Sequence, residues 1–163
     1  MQRRLIIMRH AKSAWDTDAA TDHARPLSGR GRRDAPRVAA AIAALGWCPA
    51  LAVSSDSLRT RQTFEHMREA LGGEVSVRFT RRLYHAGLDA VQEELENVDD
   101  AVRTVMVVGH NPGWEELLQQ LCRRDLRMTT ANAALLTVET DSWAQALSRD
   151  TWTLERLLRP KEL

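Results

Sequence analysis

Apolar and polar positions along this chain fall into two periods. Leu5-Ile6-Ile7-Met8 is a short unbroken apolar run, and Thr104-Val105-Met106-Val107-Val108-Gly109 is a longer one. Runs of this length read as strands buried on both faces, as in parallel sheets covered by helices. Leu51-Ala52-Val53 is a third such run, and Val75-Ser76-Val77-Arg78-Phe79 alternates with period two, which predicts an edge strand. Helical spacing lies between them. Ala35, Val38, Ala39, Ile42 and Leu45 line one face of a helix capped by Ser28 and ended by Gly46. Pro36 lacks an N–H, so this helix is expected either to kink there or to begin late, near Asp34.

The cluster Ser54-Ser55-Asp56-Ser57 opens a second helix reaching about Leu71, with Phe64, Met67 and Leu71 inward and Gly72-Gly73 as its stop. Residues Arg81 to Leu88 read as irregular and Val91 to Val98 as a short third helix. Asn111 as N-cap, with Pro112 at the first helical position, starts a fourth on Trp114, Leu117, Leu118 and Leu121. Ala134 to Glu139 and Thr151 to Leu157 are two final strands, expected to be antiparallel neighbours. The order argues for a three-layer α/β/α sandwich with a mostly parallel central sheet, one domain over residues 1–163 with no large lid insertion.

Composition narrows the picture modestly. Basic and acidic residues number 23 and 22, a net charge of +1, without the basic excess of a nucleic-acid binder. No apolar stretch approaches the ~20 residues that span a bilayer. The N-terminal apolar core is too short for a secretory signal, so a cytoplasmic location and no membrane partner are expected. Cys48 and Cys122 stand apart without metal-ligand spacing and are expected to be reduced and packed as small hydrophobes.

Chemistry enters at the strand ends. The first run hands over to Arg9-His10, the second to the Ser54–Arg59 segment, and the long one to His110. In open α/β sheets ligands bind beyond the carboxyl ends of the strands. If the three strands are parallel neighbours, Arg9, His10, Arg59 and His110 converge there beside two helix N-termini. Guanidinium forks match phosphate geometry, and helix N-termini favour anions. A neutral imidazole can accept a phosphoryl group and so split a hydrolysis into two easier steps. No carboxylate cluster suited to a divalent metal is apparent, so neither metal nor cofactor is expected. The polar segment 13–27 should lie over the strand end, where Lys12 and Arg25 would flank the pocket and contact phosphate or substrate.

Leu5-Ile6-Ile7-Met8-Arg9-His10-Ala11, then Ser54-Ser55-Asp56-Ser57-Leu58-Arg59-Thr60-Arg61-Gln62-Thr63, then Val107-Val108-Gly109-His110-Asn111-Pro112 resemble the histidine phosphatase superfamily, whose fold is phosphoglycerate mutase-like. Arg25-Pro26-Leu27-Ser28, Leu83-Tyr84 and the short chain are most similar to its SixA-type phosphohistidine phosphatase branch. The resemblance implies a metal-independent phosphatase in which His10 is the phosphorylated nucleophile and Arg9, Arg59 and His110 complete the phosphate pocket. Ala11 stands where the superfamily usually has Gly.

Many relatives also carry a mid-chain carboxylate that protonates an alcohol leaving group. The segment Arg81-Arg82-Leu83-Tyr84-His85-Ala86-Gly87 offers no obvious acid. An alkoxide leaves badly without a general acid, whereas the nitrogen of phosphohistidine leaves more readily. About thirty residues between the second helix and the central strand leave no room for a large lid. Phosphohistidine on a protein domain is therefore the favoured substrate. A small phosphorylated metabolite is the alternative, and an inactive phosphate-binding module a third reading. Among the remaining candidates, Asp16, Asp22, Glu115 and Glu116 could orient an imidazole or arginine, with Glu115 and Glu116 otherwise complementing the helix dipole. His85 reads first as a loop histidine without a role and second as a proton donor, His23 and His66 as surface residues, and Trp114, Trp143 and Trp152 as core.

Overall fold

The structure, a computed structural model, describes residues 1–163. Six strands form one sheet: β1 (Gln2–Arg9), β2 (Leu51–Ser55), β3 (Ser76–Thr80), β4 (Thr104–Gly109), β5 (Ala133–Glu139) and β6 (Thr153–Leu158). Their spatial order is β3-β2-β4-β1-β5-β6. The pairs β1/β4, β2/β4 and β2/β3 are parallel, while β5 runs against both β1 and β6. Only β5 therefore opposes the common direction, and the alternating strand β3 is an edge, as its pattern implies.

The four helices are α1 (Gly29–Ala44), α2 (Leu58–Arg68), α3 (Leu88–Leu95) and α4 (Gly113–Cys122). Successive side chains on a strand point to opposite faces. Ile6, Met8, Met106 and Val108 accordingly pack with Val38, Ile42, Phe64 and Met67 of α1 and α2. Leu5, Ile7, Val105 and Val107 pack with Val91, Leu95, Trp114 and Leu118 of α3 and α4. Trp143 and Trp152 join this second layer, so all three tryptophans expected in the core are buried. The result is the three-layer sandwich expected from the element order.

Three local expectations need correction. Helix α1 begins at Gly29, directly after the Ser28 N-cap, and so does not start late near Asp34; it continues past Pro36. The proline forfeits one backbone bond, while the buried face of Ala35, Val38, Ala39 and Ile42 outweighs that local loss. In α4 the N-cap is Pro112, not Asn111, and the Asn111–Pro112 peptide is cis. The Asn111 side chain turns away from the helix and donates to the Met128 carbonyl at 2.8 Å. Cys48 is exposed, not packed, and Cys122 is half-buried; both are free thiols. Smaller differences concern boundaries. Strand β2 extends through Ser55, and the Ser57 hydroxyl caps α2 by accepting from the Thr60 N–H. No helix is long and apolar enough to cross a membrane.

Candidate active site

Strand register explains why two distant histidines meet. Arg9 of β1 pairs with Gly109 of β4, so His10 and His110 are the next residues along two adjacent parallel strands. The His10 N–H donates to the Gly109 carbonyl at 3.1 Å, and the two imidazole centroids lie 5.3 Å apart. On the other side of β4, Ser54 of β2 pairs with Val108. That register carries the Ser55 hydroxyl to within 2.8 Å of His110 Nε2. Gly109 has a steric reason for being there. A Cβ on it would meet the Trp114 ring at 2.5 Å, and this indole donates to the Met8 carbonyl at 3.0 Å beneath the strand ends.

Each ring's hydrogen bonds fix its tautomer. His10 Nδ1 lies 2.7 Å from the Ala11 carbonyl, which can only accept. Nδ1 therefore carries the proton and Nε2 keeps its lone pair. Burial is the main cause pushing the His10 pKa down, to about 3, with Arg59, Arg9 and Arg25 adding repulsion. His110 is pushed down to about 2, again chiefly by burial, then by His10 and Arg59. Both rings are thus neutral near pH 7. Arg59 Nη2 approaches His110 Nδ1 at 3.4 Å, so the Nε2 hydrogen of His110 points to Ser55.

Arg59 lies in the first turn of α2 and is 3% exposed. Thr63 locks that turn to the first strand end, accepting from the Ala11 N–H at 2.9 Å and donating to the Arg59 carbonyl at 2.7 Å. Arg9 donates through Nη1 to the Met128 carbonyl at 2.9 Å, while its buried Nε has no partner. Burial lowers the Arg9 pKa, partly offset by Glu115.

A cleft of about 280 Å³ brings these groups together, lined by Arg9, His10, Lys12, Arg25, Arg59 and His110. All six residues singled out in the sequence thus line one cavity. It also contains Ser13, Trp15, Asp22, His85, Asn111 and Thr130. An adjoining groove of about 540 Å³ shares Arg9 and Asn111 and runs past Glu115, Arg127 and Met128. Trp15, 75% exposed, stands at the cleft rim with the Arg25 guanidinium 3.5 Å from its ring centroid. No cluster of three or more His, Cys, Asp or Glu side chains is arranged to hold a metal ion.

Sequence reasoning underweighted Asp22 and His85 and gave Tyr84 no place in the site. The Asp22 carboxylate accepts from Arg59 Nη2 at 3.0 Å, His85 Nε2 at 3.2 Å, Arg25 Nη1 at 3.0 Å and the Tyr84 hydroxyl. Its backbone carbonyl takes a further bond from Arg59 Nη1 at 2.8 Å. The Tyr84 hydroxyl, then Arg59 and His85, hold its pKa well below the usual carboxylate range. Burial and the same hydrogen bond raise the Tyr84 pKa. The His85 ring lies 4.7 Å from that of His110 and 4.2 Å from that of Tyr84. His23, expected at the surface, is half-buried and bonds Asp56 at 2.7 Å beneath the Tyr84 edge. Glu115 holds the Met128 N–H at 2.7 Å and so steadies the segment that receives Arg9.

Residues 5–124 match the histidine phosphatase superfamily (branch 1). The chain belongs to that superfamily. An uncharacterized chloroplastic protein of Arabidopsis thaliana is 40% identical over 172 residues, spanning 98% of this chain and 79% of its own length. Among solved structures, a candidate phosphohistidine phosphatase SixA from Nakamurella multipartitia is 28% identical, with a TM-score of 0.84 over 98% of this chain and 97% of its own. The protein histidine phosphatase SixA in complex with tungstate shares the fold, with 24% identity and a TM-score of 0.83 over 98% of both chains. The phosphoglycerate mutase-like architecture and the family inferred from the motifs are both correct.

Proposed function

We propose that this chain is a metal-independent phosphatase that forms a phosphohistidine on His10 and removes phosphate from phosphohistidine on another protein. The observation that carries this reading is the His10 tautomer. A neutral ring whose Nδ1 hydrogen is engaged by the Ala11 carbonyl presents a nucleophilic Nε2 to a cleft lined by cationic side chains. Arg9 and Arg59 neutralise the phosphoryl oxygens, and His110, held by Ser55, accepts from Arg59 and steadies its guanidinium beside them. Lys12 and Arg25 add positive charge at the rim. Preorganised donors of this kind act where charge develops in the transition state.

Three features support phosphohistidine as the substrate. The overall likeness to the Nakamurella protein extends through nearly the whole of both chains. The cleft opens into a second groove and an exposed indole, room enough for a protein surface beside the phosphate. The one carboxyl group in the cleft, Asp22, stays ionised and is not itself a proton donor, which suits a nitrogen leaving group better than an alkoxide.

The test is acid quench of the protein mixed with a phosphohistidine-bearing domain labelled in its phosphate. Label should appear on the wild type, be absent from His10→Ala, and be unaffected by EDTA. The same variant should lose at least about a thousandfold in phosphate release, the scale of a lost covalent nucleophile. Undiminished turnover in His10→Ala, or loss with EDTA, would overturn the mechanism. A higher kcat/KM on a panel of small phosphate esters would overturn the substrate.

A further inference from the structure

We infer that His85, oriented by Asp22, is the proton carrier of this site. It gives a proton to the leaving atom in the first half-reaction and takes one from water in the second. The inference rests on the phosphohistidine mechanism above and assigns a role that mechanism leaves open.

Four observations place His85 there. It lines the same cleft as His10 and His110. Its ring sits 4.7 Å from His110 on one side and 4.2 Å from Tyr84 on the other, so both neighbours restrict its swing. Nε2 lies 3.2 Å from Asp22, an ionised carboxylate that can only accept, so Nε2 carries a hydrogen and Nδ1, with no partner in the protein, is the exchanging atom. Finally, His85 adopts φ of 52°, a left-handed conformation that costs a non-glycine residue energy and recurs at functional positions. Half of its side chain remains exposed. That exposure suits a group that meets the outgoing half of a substrate, in contrast to the buried pair beneath it.

The proton count closes over the cycle. His10 Nε2 donates its lone pair to phosphorus, forming the P–N bond. The bond from phosphorus to the leaving atom breaks, and its electron pair takes the proton from His85 Nδ1. His85 is then neutral. Water attacks the phosphohistidine, passing one proton to His85 Nδ1 while the other stays on the phosphate. The P–Nε2 bond breaks, its pair returns to His10, and His85 is again charged for the next turnover.

His85→Asn removes the imidazole while keeping a residue that accepts left-handed backbone. Wild type and variant are compared on 4-nitrophenyl phosphate, phenyl phosphate and 4-methoxyphenyl phosphate, esters of progressively poorer leaving groups. The variant should lose less than about threefold on the first and about a hundredfold on the last two, the range of lost general acid catalysis. Equal losses on all three esters would overturn the inference. Acid quench with labelled 4-nitrophenyl phosphate separates the two levels. No label on wild-type His10 defeats the phosphohistidine mechanism itself. Label on both proteins with a uniform rate loss defeats only the role of His85.

Discussion

The cleft has two halves built on different principles. Arg9, His10, Arg59 and His110 come from the ends of β1 and β4 and the first turn of α2, and the two histidines and Arg59 are nearly solvent-free. Asp22, Arg25, Tyr84 and His85 come from connecting segments, and Asp22 and His85 are about half exposed. In the first half the sheet's own hydrogen bonds set the spacing, and burial sets the charge state. In the second half the Asp22 carboxylate gathers Arg25, Tyr84 and His85 and reaches across to Arg59. A rigid half can hold the phosphoryl group in one geometry, while a half built on loops can vary to suit what the phosphate is attached to.

Three substitutions or conditions probe that contrast. Arg59→Lys should cost most, about a hundred- to a thousandfold in kcat/KM, because a point charge cannot reproduce the guanidinium fork that reaches both Asp22 and His110. A loss under about threefold would show that the buried half demands charge alone.

Acid should reveal the buried half next, through stability. His10 and His110 have folded pKa values lowered from 6.5 to about 3 and about 2, so the unfolded chain binds protons that the folded chain refuses. Stability is then complete above about pH 6.5 and falls as pH drops toward 3, by up to about 1.4 kcal/mol per pH unit for each histidine. Denaturant unfolding of the wild type and His110→Gln at pH 7.5, 6 and 5 measures this. The variant should show the shallower decline, and identical slopes would mean that His110 is not held neutral by the fold.

Asp22→Asn should cost least, about tenfold, and mainly in kcat. An amide still bonds Tyr84 and Arg59 but no longer holds His85 through an ionised oxygen. The measurement is the split between kcat and KM with the phosphohistidine domain. A change confined to KM would make Asp22 a binding residue only.

The two halves also differ in how far the sequence discloses them. Each member of the buried half follows an apolar run or a helix cap, and such runs are local signals that survive without tertiary information. The parallel order of β2, β4 and β1 then brings the ends together. Asp22 gives no such signal. It is one of several acids in a polar loop, and its meeting with Tyr84 and His85 spans more than sixty residues of sequence. His85 was undervalued because left-handed backbone leaves no mark on a histidine codon by codon. Pro36 and Asn111 show the complementary failure. Local propensity favoured a late helix start at one and a cap at the other, but core burial along α1 and the Met128 carbonyl beside Asn111 decided otherwise.

The start of α4 holds one more lesson. A Cβ on Gly113 would lie 1.9 Å from the Ala86 carbonyl, so the loop bearing His85 rests directly on the helix that follows His110. The seat of that loop over the phosphate site therefore depends on a methyl group that Gly113 lacks. Changing the side chains of the 84–87 loop alters what the roof offers a substrate, but its height is set from below, by a residue that packs against the Ala86 carbonyl and lies outside the cleft.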